Sequence, residues 1–173
     1  MKKVVILAAV FMFAVLTTSA LAQTPTYIGS QKCAMCHKSE KSGQQFPKWE
    51  ASKHSKSFAA LSSPQAAEAC KALGVEKPTE DAKCLKCHAP LADKAAELKA
   101  EGVSCEVCHG AGNDYKSMAV MKDRAESAKK GLKLYANADA IKAYCLTCHE
   151  NAHNKTFDFA AYWEKIKHPV PGK

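Results

Sequence analysis

The sequence predicts a mostly α-helical, loop-rich fold with few or no strands. Short segments are bounded by helix-starting and helix-stopping residues, and no stretch alternates apolar and polar residues as a strand would. A Cys-x-x-Cys-His unit recurs four times, with unequal and dissimilar spacers, so the chain is not a solenoid. The apolar residues are rich in alanine and poor in Leu, Ile, Val and Phe. A chain of 173 residues built this way buries little apolar area of its own. The expectation is one domain, residues 23–173, packed around something besides side chains.

Residues 1–22 are set aside from that domain. "MKK" is a short basic start, "VVILAAVFMFAVL" an apolar run, and "TTSALA" ends in small residues. This is the pattern of a secretory signal peptide cut after Ala22. The apolar run is short for a membrane span. The mature chain is therefore expected to be exported, to the periplasm or beyond the cell, with no stable membrane insertion after cleavage. The net charge is +8, from 25 basic and 17 acidic residues, and Lys2 and Lys3 leave with the leader. The remaining lysines are scattered, which argues against a nucleic-acid partner.

The helical segments follow in order. "FPKWEASKHSKSFAAL", 46–61, opens with Pro47 near the first helical position. Ala51, His54, Phe58 and Leu61 share one face, so His54 points with the apolar residues. "SPQAAEACKALG", 63–74, has Ser63 as N-cap, Pro64 at the first position and Gly74 past the end. It contains Cys70, read as a small buried residue, with an intermolecular disulfide as the alternative. "PLADKAAELKAEG" closes at Gly102. "NDYKSMAVMKDRAESAKKG", 113–131, is expected to be the longest helix, started by Asn113 or Asp114 and ended by Gly131. "FDFAAYWEKIKHP" has Asp158 as cap, one apolar face of Phe159, Tyr162, Trp163 and Ile166, and Pro169 as its stop.

Eight of the nine cysteines fall in the repeated unit: Cys33, Cys36 and His37; Cys84, Cys87 and His88; Cys105, Cys108 and His109; Cys145, Cys148 and His149. A structural zinc site or an exported disulfide framework needs no histidine after each pair. The four units together carry the signature of c-type haem attachment. Each thiol adds to a haem vinyl group, and the two-residue spacer matches the separation of the vinyls. The histidine that follows lies under the porphyrin as proximal iron ligand. The expectation is four covalently attached haem c groups with their iron, whose propionates offset much of the basic charge.

Seven histidines are present and four are proximal. His54, His153 and His168 remain as candidate second ligands, which is one too few for four irons. A surface role competes for His153, which sits in a polar loop. Met118 and Met121, at helical spacing from Tyr115, are the other candidates, against simple packing. An iron that gains neither is five-coordinate and open to an exogenous ligand.

The stretches "YIGSQKCAMCH", "WEASKHSKSFAAL", "CLKCHAP", "GVSCEVCHGAGNDY", "CLTCHE" and "FDFAAYWEKIKHPVP" together resemble the tetrahaem cytochrome c-554 family. The resemblance implies a periplasmic electron carrier with haems in stacked pairs, three bis-histidine and one five-coordinate. It makes His54 and His168 distal ligands, with His168 opposite the fourth haem and an open site on the second, at His88. The family's remaining distal histidine falls soon after the third motif, where this chain offers only Met118 and Met121. The expected function is electron transfer through closely packed haems between a redox donor and a redox acceptor. Two other classes remain. One is a haem oxidoreductase acting on a small nitrogen oxide at an open iron. The other is self-association into an electron-conducting filament.

Overall fold

The computed structural model describes residues 24–150 and 152–168. The leader and Pro169 lie outside the described residues. Ten short helices follow in chain order: α1 Ser30–His37, α2 Gln45–Ala51, α3 Ser57–Ala60, α4 Pro64–Leu73, α5 Ala82–His88, α6 Cys105–His109, α7 Met118–Met121, α8 Arg124–Lys129, α9 Ala138–His149 and α10 Phe159–Ile166. No strand occurs among the described residues, and none of their helices is long and apolar enough to cross a membrane.

The four Cys-x-x-Cys-His units have a common placement that their sequence did not announce. Each forms the last residues of a helix, so His37, His88, His109 and His149 are the final residues of α1, α5, α6 and α9. The longest helix is α9, 12 residues capped by Asn137, rather than the expected 113–131.

Two expected helices are broken, and side-chain chemistry explains both. In 46–61 the backbone turns extended at Ser52. Ser52 Oγ accepts the His54 N–H at 3.2 Å, while Ser55 Oγ donates to the carbonyls of Glu50 and Ser52. Serine hydroxyls here take up the backbone groups that would continue the helical ladder. His54 therefore sits on a turn between α2 and α3, not on a helix face. In 113–131 there are two caps. Ser117 starts α7, and Asp123 accepts from Ala125 and Glu126 at 2.9 Å to start α8. The segment closing at Gly102 forms only a 3₁₀ turn, Ala96–Glu101. By contrast α4 keeps its cap at Ser63, its first-turn Pro64 and a left-handed Gly74, and α10 keeps its Asp158 cap.

The buried apolar set is small and three of its ten members, Ala34, Ala89 and Ala95, are alanines. Packing instead runs through polar groups. Trp49 Nε1 donates to the Val103 carbonyl at 2.8 Å, beside Phe46. Ser57 Oγ lies between the His54 and His88 carbonyls, 2.8 Å from each, and accepts the Val103 N–H. The His54 carbonyl also accepts the Val103 N–H at 3.0 Å. This joins the His54 turn, the end of α5 and the strand of chain entering α6.

Gly102 makes that junction possible. Its φ is +65°, and a Cβ there would stand 2.6 Å from the His54 carbonyl oxygen. Gly102→Ala therefore combines backbone strain with a clash against a fixed carbonyl. The substitution is expected to destabilise the folded protein by about 3 kcal/mol, measured by denaturant unfolding. A loss under about 0.5 kcal/mol, the range of ordinary surface changes, would contradict this account of the junction.

Candidate functional site

Six of the seven histidines meet in pairs. His54 faces His149 with ring centres 6.1 Å apart, His88 faces His153 at 5.9 Å, and His109 faces His168 at 5.8 Å. The ring planes cross at 51°, 77° and 40°, so none of these is a stacked pair. Two imidazoles bound to opposite sides of one metal, each with a metal–nitrogen bond of about 2 Å, have ring centres roughly 6 Å apart. Each pair joins one motif histidine to one of the three others. His37 has no facing ring among the described residues.

This arrangement of rings differs from two expectations. His168 lies against His109, not His149, because α10 delivers it beside the third motif. The His54 turn takes the place opposite His149. The site expected to be open, at His88, faces His153, and the motif left without a facing imidazole is the first. Met118 is 65% exposed on α7 and Met121 is 36% exposed.

Local structure holds these rings in the ligand form. His88 Nδ1 lies 2.8 Å from the Ser57 carbonyl oxygen, so that nitrogen carries the proton and Nε2 is free to bind. Burial, aided by the neighbouring His168, pushes His109 down to about 4. Burial likewise lowers His54, His149 and His168. A neutral imidazole is what a metal binds. His168 Nδ1 is buried with no hydrogen-bond partner, an orphan that a bound metal group would account for. His153 adopts a left-handed backbone, φ 54° and ψ 35°, which is uncommon outside glycine. Strain of that kind collects at functional positions. Phe157 stacks on His149 at 4.6 Å and 13°, and Tyr162 stacks on Phe157.

The third motif is the most embedded of the four. Tyr144 and Tyr135 donate to the carbonyls of Val107 and Cys108 at 2.6 and 2.9 Å, and Tyr115 donates to that of Gly110 at 2.9 Å. Lys133 adds its Nζ to the Val107 carbonyl and its N–H to the His109 carbonyl. Burial, followed by the nearby Cys108 thiol, raises the Tyr144 phenol to about 12, so it stays a donor.

No two of the nine cysteines form a disulfide, and the motifs follow one another in space. Cys33 of the first neighbours Cys105 of the third. Cys108 of the third neighbours Cys145 of the fourth, and Cys148 of the fourth neighbours Cys87 of the second. Cys36 is exposed. Cys70 is buried on α4 with its thiol on Cys84. Among the described residues no three His, Cys, Asp or Glu side chains converge on a point.

Thiols paired across a two-residue spacer, a helix-ending histidine and, for three motifs, a second imidazole at metal-bridging distance form the arrangement that a c-type cytochrome scaffold uses. Residues 32–110, which hold the first three motifs, match the family described as "Cytochrome c554 and c-prime". The chain is 25% identical over 161 residues to cytochrome c-554 of Nitrosomonas europaea, covering 84% of this chain and 66% of that protein. The chain thus spans a little under two thirds of the length of the curated relative it matches. No solved structure matches. Both findings are likenesses to cytochrome c-554: one spans less than half of this chain, the other is a distant identity over most of it.

Sequence reasoning singled out every histidine but not the residues that hold them. Ser57, Phe157, Tyr135, Tyr144 and Glu106 carry no spacing signal, because their roles arise from contacts between distant segments.

The three facing pairs make a direct prediction. In the haem-loaded protein His54→Ala, His153→Ala and His168→Ala should each convert one low-spin haem to high spin, read by magnetic circular dichroism. A variant that leaves the spin-state count unchanged removes that pair from the account.

Proposed function

We propose that this chain is an exported tetrahaem c-type cytochrome that carries electrons between redox partner proteins. The observation that carries the reading is the set of three facing imidazole pairs, each containing one motif histidine. In this reading Cys33 and Cys36, Cys84 and Cys87, Cys105 and Cys108, and Cys145 and Cys148 each hold one haem. His37, His88, His109 and His149 are the proximal ligands. His153, His168 and His54 are the distal ligands of the second, third and fourth haems. The haem supplies reversible one-electron chemistry; the chain supplies attachment, neutral ligands, burial and order. The sequence of neighbouring motifs, first to third to fourth to second, favours a carrier with two ends over four independent centres. Export follows from the leader pattern at 1–22, and a periplasmic location is the corresponding proposal.

A second reading, ligand chemistry at an open iron, is favoured by one observation: the first motif lacks a facing imidazole. That iron would take a small ligand such as nitric oxide or carbon monoxide.

Two measurements test the proposal. Intact mass of the protein purified from an exporting, haem-attaching host should equal the chain from Gln23 plus four haems, with Cys70 alone alkylatable. Fewer than four haems contradicts the tetrahaem reading. Carbon monoxide should bind the ferrous protein at one haem per chain; no binding removes the open iron and with it the enzymatic alternative.

A further inference from the structure

Glu106 is the largest side chain that the fold buries completely, at 1% exposure. It occupies a spacer position of the third motif, a place where the attachment chemistry makes no demand. Its carboxylate is nevertheless fully used. Oε2 accepts the Gly29 N–H at 2.8 Å and Oε1 the Gly112 N–H at 2.6 Å, while the Ile28 N–H lies 3.0 and 3.1 Å from the two oxygens. Glu101 completes the arrangement by accepting the Ser30 N–H at 2.9 and 3.1 Å. Ser30 Oγ in turn accepts the Cys105 N–H. Three successive N–H groups at the entry to α1, from residues 28, 29 and 30, therefore end on two carboxylates.

These bonds link the helix of the first motif to the helix of the third. The neighbouring thiols Cys33 and Cys105 lie across that contact. None of the ion pairs among the described residues includes Glu106, so its charge is met by N–H dipoles and not by a cation. Such dipoles stabilise a carboxylate without cancelling its field. Oxidation of an iron adds one positive charge nearby, and a fixed negative charge in a dry site favours that state.

We propose that Glu106 is a positioning and potential-setting residue, whose buried carboxylate clamps the first attachment helix to the third and stabilises the ferric state of the irons held there. This rests on the reading of those motifs as haem sites. The field of Glu106 also reaches Cys33, whose thiol is pushed up chiefly by the neighbouring Cys105 and by burial, with Glu106 and Glu101 adding to it.

The test is a redox titration of the haem-loaded protein and of Glu106→Gln and Glu106→Asp. Intact mass is measured first, so a failure of the haem reading is separated from a failure of this one. Glu106→Gln keeps the shape and removes the charge. It should shift the reduction equilibrium of one or two haems by about tenfold towards the ferrous state, or about 59 mV for a one-electron couple. Glu106→Asp keeps the charge and should lower thermal stability while leaving the potentials near those of the parent. A merely structural role predicts equal behaviour of the two variants, and that result, or four unmoved potentials in Glu106→Gln, overturns the proposal. If neither variant matures, redox-difference infrared spectra of the parent protein decide. An ionised carboxylate band that responds to reduction, shifts with carbon-13 glutamate and stays in place with carbon-13 haem supports the proposal; no such glutamate response overturns it.

Discussion

Three pairs of imidazoles face one another at 5.8–6.1 Å, and the rest of the fold is arranged around keeping them there. The constraint is severe because each pair joins distant parts of the chain. A pair held by one metal tolerates little error, since a metal–nitrogen bond has a fixed length of about 2 Å. The chain meets it by ending a helix at each motif histidine and delivering the opposing ring on a turn or a loop. His54 comes from the Ser52–Lys56 turn, His153 from a left-handed kink and His168 from the residues after α10. A helix end fixes one partner, and a bent segment adjusts to it.

The scaffold that holds these pairs is polar to an unusual degree. Carbonyls of the third motif take phenol and lysine donors, Ser57 bridges three backbone groups, and two carboxylates close on the N–H groups that lead into α1. Buried polar groups add order only when every one is satisfied, and the Glu106 clasp meets that condition with every contact between 2.6 and 3.1 Å. With so few large aliphatic side chains, specificity of packing comes from these bonds. It fits a chain whose core is shared with flat, covalently attached groups.

The chemistry of the chain was legible in its sequence to a large extent, and its geometry only in places. The four motifs, the seven histidines and the deficit of one distal imidazole all follow from counting. Caps at Ser63 and Asp158 set α4 and α10, because capping is a local event. The breaks at Ser52 and Lys122–Asp123 were missed because a hydrophobic periodicity continues across them while serine and aspartate side chains compete for the backbone. The partner of each histidine was not readable at all: His168 follows an apolar helix, but only the docking of α10 decides which motif it meets. Glu106 was invisible for the same reason, since a glutamate between two cysteines looks solvent-exposed until Ile28, Gly29 and Gly112 are seen to close on it.

The central claim is that six of the seven histidines pair across three irons and leave the first motif's iron without an opposing imidazole. Low-temperature electron paramagnetic resonance of the fully oxidised monomer tests it most directly. The account predicts three low-spin ferric signals and one high-spin signal per chain, with the high-spin signal lost on adding nitric oxide. Four low-spin signals would contradict it, as would more than one high-spin signal in the unsubstituted protein.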